Sequence, residues 1–232
     1  MAKYLIIAAS SGIGQATTEL LKTSGHSVFT TARDHRKITP DALLDATDFD
    51  AVERVFGEAG AIDGVVNCSG SLLLKSAALT SREQYQAVID ASLTTAFATV
   101  RAAGKHMTQG GSVVLISSAA AMAGLANHEA IAAAKAGILG LTLSAAATYA
   151  PANLRINAVA PGLTETPLTA SLTGNAAARS FSEAMHALGR LGKPEDIARA
   201  IVFLLDPANS WITGQVLGVD GGLSRIRPKM KA

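Results

Sequence analysis

Cysteine is almost missing from this chain: Cys68 is the single one among 232 residues. An internal disulfide and a multi-cysteine metal site are therefore excluded, and no metal is expected. Cys68 closes an apolar run, which suits a small buried residue better than a nucleophile. Aromatic residues make up only 4% of the chain, so its helices must pack through alanine and glycine. Charged residues are few as well, at 16% with a net charge of +2. They are scattered except for Arg225, Arg227, Lys229 and Lys231, which read as a solvated basic tail over 225–232; no nucleic-acid contact is expected. Strongly apolar runs of 18 residues are missing. The uncharged stretch Ala136–Leu154 comes closest, but it contains Gly, Ser, Thr, Tyr and Pro and reads as a buried helix rather than a membrane span. The first residues run directly into a strand, without a basic leader or a small-residue cleavage site, so a cytoplasmic location is expected.

What is present is a well-buried composition, 49% hydrophobic with a mean hydropathy of +0.29. Short β-branched runs at 4–8, 27–31, 42–44, 64–67, 112–116, 155–159 and 216–219 alternate with helical patterns at 14–23, 49–58, 82–106, 130–149 and 195–205. Several strands are apolar on both faces, as parallel strands covered by helices on both sides require. The expectation is an α/β fold with one Rossmann-type doubly wound parallel sheet of about seven strands. No repeat or linker divides the chain, so residues 1–232 read as one dinucleotide-binding domain. The segment 168–187, rich in Ala, Ser, Thr and Gly between Pro167 and Gly189, is expected to be a mobile lid over the substrate.

The first strand runs into Ala8-Ala9-Ser10-Ser11-Gly12-Ile13-Gly14, with a helix directly after it. Glycines at such a turn let the backbone approach a pyrophosphate, and the helix N-terminus supplies free N–H groups and a positive dipole. A tight turn with no ligand is the plainer alternative. Further landmarks follow in order: Asp45-Ala46, Asn67-Cys68-Ser69-Gly70, Pro161-Gly162-Leu163-Thr164-Glu165-Thr166, Arg190-Leu191-Gly192-Lys193-Pro194-Glu195-Asp196 and Val219-Asp220-Gly221-Gly222. Along nearly its whole length the chain resembles the short-chain dehydrogenase/reductase family. In that family's TGxxxGxG loop, Gly12 and Gly14 match the last two glycines and Ala8 replaces the first. An alanine there is tolerable where the backbone φ stays negative. The resemblance implies a cofactor site built from Ser10, Ser11, Gly12, Ile13 and Gly14 at the phosphates and Asp45 and Ala46 at the adenine. It further implies Asn67, Cys68, Ser69 and Gly70 at the end of the fourth strand, and Pro161, Gly162, Thr164 and Thr166 at the nicotinamide.

The second strand ends in Thr31-Ala32-Arg33-Asp34. A carboxylate at that tip binds both ribose hydroxyls of NAD, whereas Ala32 stands there and Arg33 follows. A guanidinium can grip a 2′-phosphate through two parallel hydrogen bonds, so NADP(H) is the expected cofactor. NAD(H) is the alternative if Arg33 is only a solvated charge and Asp34 takes the ribose.

The family arranges its catalytic groups as Ser-x12-Tyr-x3-Lys, with an asparagine upstream that orders a proton-relay water. Ser118 matches the serine and Lys135 the lysine, which in the family also holds the nicotinamide ribose. Counting 13 on from Ser118, or four back from Lys135, gives Ile131. Isoleucine neither donates a proton nor stabilises an oxyanion. Ser92 stands at the asparagine position. Tyr149 lies too far along its helix to substitute, and Tyr85 belongs to another helix. His128 shares a helical face with Ile131 and Lys135 and is a candidate acid, although it also reads as a solvated start of that helix.

Three functions fit these residues. One is an NADP(H)-dependent oxidoreductase acting on a small carbonyl or alcohol through a rearranged proton path. Another is a catalytically silent dinucleotide-binding protein with a sensing or assembly role, and a third is reduction of an activated C=C bond or an elimination in the same pocket. No anion clamp or aromatic shelf for a substrate is evident in 168–187. The uncharged helix after Lys135 points to a homotetramer or homodimer.

Overall fold

The computed structural model describes residues 1–227, so the part of the basic tail holding Lys229 and Lys231 lies outside the described residues. Seven strands form one parallel sheet in the order β3-β2-β1-β4-β5-β6-β7. They are β1 (Lys3–Ile7), β2 (Ser27–Ala32), β3 (Ala42–Leu43), β4 (Gly64–Asn67), β5 (Gly111–Ile116), β6 (Leu154–Pro161) and β7 (Val216–Val219). Side chains alternate across the sheet, and β1 feeds two cores. Leu5 and Ile7 join Val65, Val113, Leu115 and Ile156 on one face, while Tyr4 and Ile6 join Val66, Val114, Ile116 and Val159 on the other.

The first core is closed by α2 (Phe49–Ala59), α4 (Thr95–His106) and α5 (Glu129–Tyr149), the second by α1 (Gly12–Thr23) and α8 (Pro194–Leu205). Small side chains make the close approach, with Ala98, Ala102 and Ala103 of α4 and Ala145 and Ala146 of α5 all buried. The Tyr149 ring lies on Gly104, where a β-carbon would come within 2.4 Å of it. That contact keeps the phenol on the α4 side and away from any chemistry at Ser118. By length and composition alone α5 and the turn after it, Glu129–Ala152, are long and apolar enough to cross a bilayer. Here Ile131, Ala134, Ile138, Ala145 and Ala146 are instead buried within the fold.

Two other segments differ from the pattern reading. The pattern at 82–106 is interrupted: α3 (Arg82–Ile89) passes through one π turn, Asp90–Thr94, before α4 begins. The 168–187 segment carries α6 (Ala170–Thr173) and α7 (Ala176–Met185). Asn175 caps α7, its side chain accepting the Ala178 N–H at 2.9 Å.

Candidate active site

The strand order reverses direction between β1 and β4, and a cleft of about 1170 Å³ opens there at the carboxyl ends of the strands. That is above the ~300–1,000 Å³ usual for one small ligand. Its floor at one end is the turn from β1 into α1. Ser11 caps α1 by accepting the Gly14 N–H at 3.0 Å. Among the described residues the N–H groups of Gly12 and Ile13 find no protein acceptor, and both residues line the cleft. A β-carbon on Gly14 would lie 2.5 Å from the Ala8 carbonyl oxygen, and one on Gly12 would lie 3.0 Å from Thr166. Bare backbone, two free N–H donors and a helix dipole make a cradle that fits a dinucleotide pyrophosphate. Ala8, however, has φ +58°, in the left-handed region, so the negative φ expected for an alanine there is not met. The turn keeps its glycine geometry despite the methyl group.

At the β2 tip, Arg33 and Lys37 line the cleft. Asp34 does not. Arg36 engages it with Nε at 2.9 Å and Nη2 at 2.6 Å, and this pairing holds its carboxyl below the usual range. Asp45 lines the cleft beside Ala46 and accepts both the N–H and the hydroxyl of Thr47.

Ser69, Gly70 and Cys68 line the cleft below the end of β4, but Asn67 does not. Asn67 is buried, donating to Thr99 Oγ1 at 3.0 Å and accepting from Ser69 N at 2.8 Å, so it shapes the wall without facing it. Gly14 and Ser92 are likewise absent from the lining. Ser92 is 2% exposed in the π turn, and among the described residues its hydroxyl has no partner. The structure therefore does not bring Ser92 to the cleft with the other candidate catalytic residues.

Ser118, His128, Ile131 and Lys135 do meet in the cleft. Ser118 Oγ accepts the Ala120 N–H at 3.1 Å, which leaves its own proton to give. Lys135 is 5% exposed and donates to the Ile116 carbonyl at 2.8 Å. Burial pushes its ammonium down to about 8 and pushes the neighbouring Cys68 thiol up to about 12. Desolvation is the larger cause at the lysine and Cys68 partly offsets it. His128 is the N-cap residue of α5, with Nδ1 at 2.7 Å from the Ala126 carbonyl. A carbonyl only accepts, so Nδ1 carries hydrogen and Nε2 of the neutral ring is a bare acceptor. Ile131, 4% exposed, packs with Val88, Ala130, Ala134 and Leu73.

Pro161, Gly162, Thr164 and Thr166 form the wall opposite the cradle. Thr164 donates to the Gly162 carbonyl, and its segment bridges to Gly192. The other end of the cleft is lined by Leu168, Leu172, Phe181 and Met185 from the helical segment. Phe181 brings an aromatic ring to the cleft lining, which the sequence reading did not pick out. The signal lay in Ala178, Phe181, Ser182 and Met185, which share the cleft-facing side at helical spacing behind the Asn175 cap.

A family profile described as Enoyl-(Acyl carrier protein) reductase matches residues 7–224. The 3-oxoacyl-(acyl-carrier-protein) reductase of Thermotoga maritima is 38% identical, across 94% of this chain and 96% of its own. A cis-4-hydroxycyclohexanecarboxylate dehydrogenase of Sinomonas cyclohexanicum is 37% identical, across 96% of each. Among solved structures, a short-chain type dehydrogenase/reductase from Mycobacterium ulcerans superposes with a TM-score of 0.91 at 29% identity, covering 96% of this chain and 90% of the other.

Proposed function

The chain belongs to the short-chain dehydrogenase/reductase family of oxidoreductases, and from that premise we propose that it interconverts an apolar carbonyl compound and its alcohol with NADP(H), through a proton path that lacks the family's tyrosine. The observation that carries this reading is the division of one cleft into two chemical halves. The cradle, Arg33 and Lys37 suit a phosphorylated dinucleotide, while Leu168, Leu172, Phe181 and Met185 suit an uncharged, apolar partner. The relative named for reduction of a 3-oxoacyl group on acyl carrier protein supports such a partner.

A dinucleotide held by the cradle and Arg33 would supply or take the hydride. Ser118 keeps its proton and donates a hydrogen bond to the substrate oxygen, as its acceptor role toward Ala120 allows. Ile131 replaces the expected phenol with a hydrocarbon wall against that oxygen. His128 in its neutral form offers Nε2 as a proton acceptor, which serves alcohol oxidation directly and carbonyl reduction only after the ring is charged. Without a positioned acid the rate falls by about 10²–10⁴, so turnover is slow rather than absent. The segment 168–187 acts as the lid, and the protein works as a homodimer or homotetramer in the cytoplasm.

The test is NADPH oxidation against a panel containing a medium-chain 3-oxoacyl thioester, a cyclohexanone, a hexose and an enoyl thioester, with the reverse reaction on the matching alcohols. Slow turnover confined to the two apolar ketones and their alcohols is the expected outcome. Preference for the hexose, or for the enoyl thioester, would overturn the assignment.

A further inference from the structure

His186 is the residue at which α7 ends, and it is 4% exposed. Its Nδ1 lies 2.6 Å from the Ser182 carbonyl, one turn back in α7. The carbonyl accepts, so Nδ1 holds the ring hydrogen and Nε2 is an acceptor. Nε2 receives the backbone N–H of Leu163 at 3.2 Å. The ring reaches that N–H because residue 162 has no side chain: a β-carbon on Gly162 would stand 2.7 Å from Nε2. One buried imidazole, in one tautomer, therefore joins α7 to the 161–166 wall. A second tie, from Arg179 to Glu165 at 2.6 Å, joins the same two elements but is partly exposed and contributes less.

The geometry points to His186 as a positioning residue for the cofactor, a role that rests on the dinucleotide reading of the cleft. The wall it holds faces the phosphate cradle, with Thr166 packed on Gly12. The helix it terminates carries Phe181 and Met185 into the substrate end. Through this ring, the placement of the apolar cover and the course of the cofactor wall are set together. His186 lines the cleft beside Leu163, and its ring nitrogen is engaged with the Leu163 N–H, so the role inferred is one exerted through Leu163.

Two substitutions separate the bond to the wall from the bond within α7. His186→Gln keeps an acceptor at the reach of Nε2. His186→Asn keeps a donor near Nδ1 but cannot reach Leu163. NADPH titrations by calorimetry on the full chain should place the glutamine variant within about threefold of wild type and the asparagine variant about tenfold weaker, as one lost hydrogen bond implies. The KM for NADPH should follow the same order with kcat changed less, and cofactor-free thermal midpoints of the two variants should agree. Equal affinity in wild type and the asparagine variant, or equal losses in both variants, would overturn the inference while leaving the dinucleotide reading intact. Failure of the wild type to bind either NADPH or NADH would overturn both.

Discussion

Arg36 clasps Asp34 with two of its guanidinium nitrogens, and the carboxylate closest to the β2 tip is thereby taken up within its own loop. Arg33 is left on the cleft side with Lys37. NADPH should accordingly bind more tightly than NADH. Arg33→Ala should weaken NADPH about tenfold or more, the scale of a charge-assisted hydrogen bond, with NADH unchanged. Arg36→Ala should release Asp34 and improve NADH. Calorimetry with both cofactors on the three proteins decides it, and equal affinities in the wild type would remove the argument.

Ala8 holds φ +58° where a glycine would rest without strain. Ala8→Gly should raise stability by up to about 1 kcal/mol, the smaller flexibility cost of glycine in the unfolded chain having been subtracted. For a chain of this length that corresponds to a rise of roughly 2–4 °C in Tm. A fall in the midpoint would mean that the methyl group packs well enough to outweigh the strain.

Ile131 fills the α5 position one turn before Lys135, against Val88 and Leu73. Ile131→Tyr should raise the reduction rate on a reactive dicarbonyl by at least about tenfold, toward the general-acid contribution. Ser118→Ala should remove most of what the wild type retains. Wild-type rates already typical of an intact proton path would show that the isoleucine costs little, and His128→Ala would then be the variant to compare.

Lys135 carries its burial cost only while charged. Below about pH 8 it is protonated in both the folded and the unfolded chain, and the full cost is present. Between about 8 and 10.5 the unfolded chain keeps the proton and the folded chain does not, so stability rises with pH; above 10.5 the cost is gone. This one group accounts for about 3 kcal/mol over that window. Urea unfolding from pH 7 to 10.5 should therefore climb more steeply for the wild type than for Lys135→Met. Parallel curves would mean that water reaches the amine.

Phe97 on α4 and Leu143 on α5 are 50% and 60% exposed, which is unusual for large apolar side chains on helices so poor in charge. Light scattering at micromolar concentration should give a dimer or tetramer. Replacing both residues with glutamate should shift the mass toward the monomer. A wild-type monomer would show that these faces are simply wet.

The sheet was legible in the sequence because its strands are short and several are apolar on both faces, and the cradle because Gly12 and Gly14 sit at a strand-to-helix junction. Features that depend on distant partners were not. The π turn at Asp90–Thr94 interrupts a pattern that reads as one unbroken helix. Phe181 and His186 lie in a stretch of small polar residues whose local preferences are weak, and their roles appear only once β6 brings Leu163 and Gly162 beneath α7. Asn67 and Ser92 were placed by motif position, yet the direction a side chain takes from its backbone decided that neither faces the cleft.

The lining of the cleft runs from Ile7 to Leu223. On a ribosome adding roughly 5–20 residues per second, the last wall emerges some ten seconds or more after the first. For most of that interval the cradle at β1 has no opposite side, because Thr166 and His186 arrive only after β2 to β6 have been made. A nucleotide therefore cannot template early folding of the nascent chain. It can stabilise only a chain already extended through Thr166, and any break that releases the residues beyond β6 removes the wall opposite the cradle.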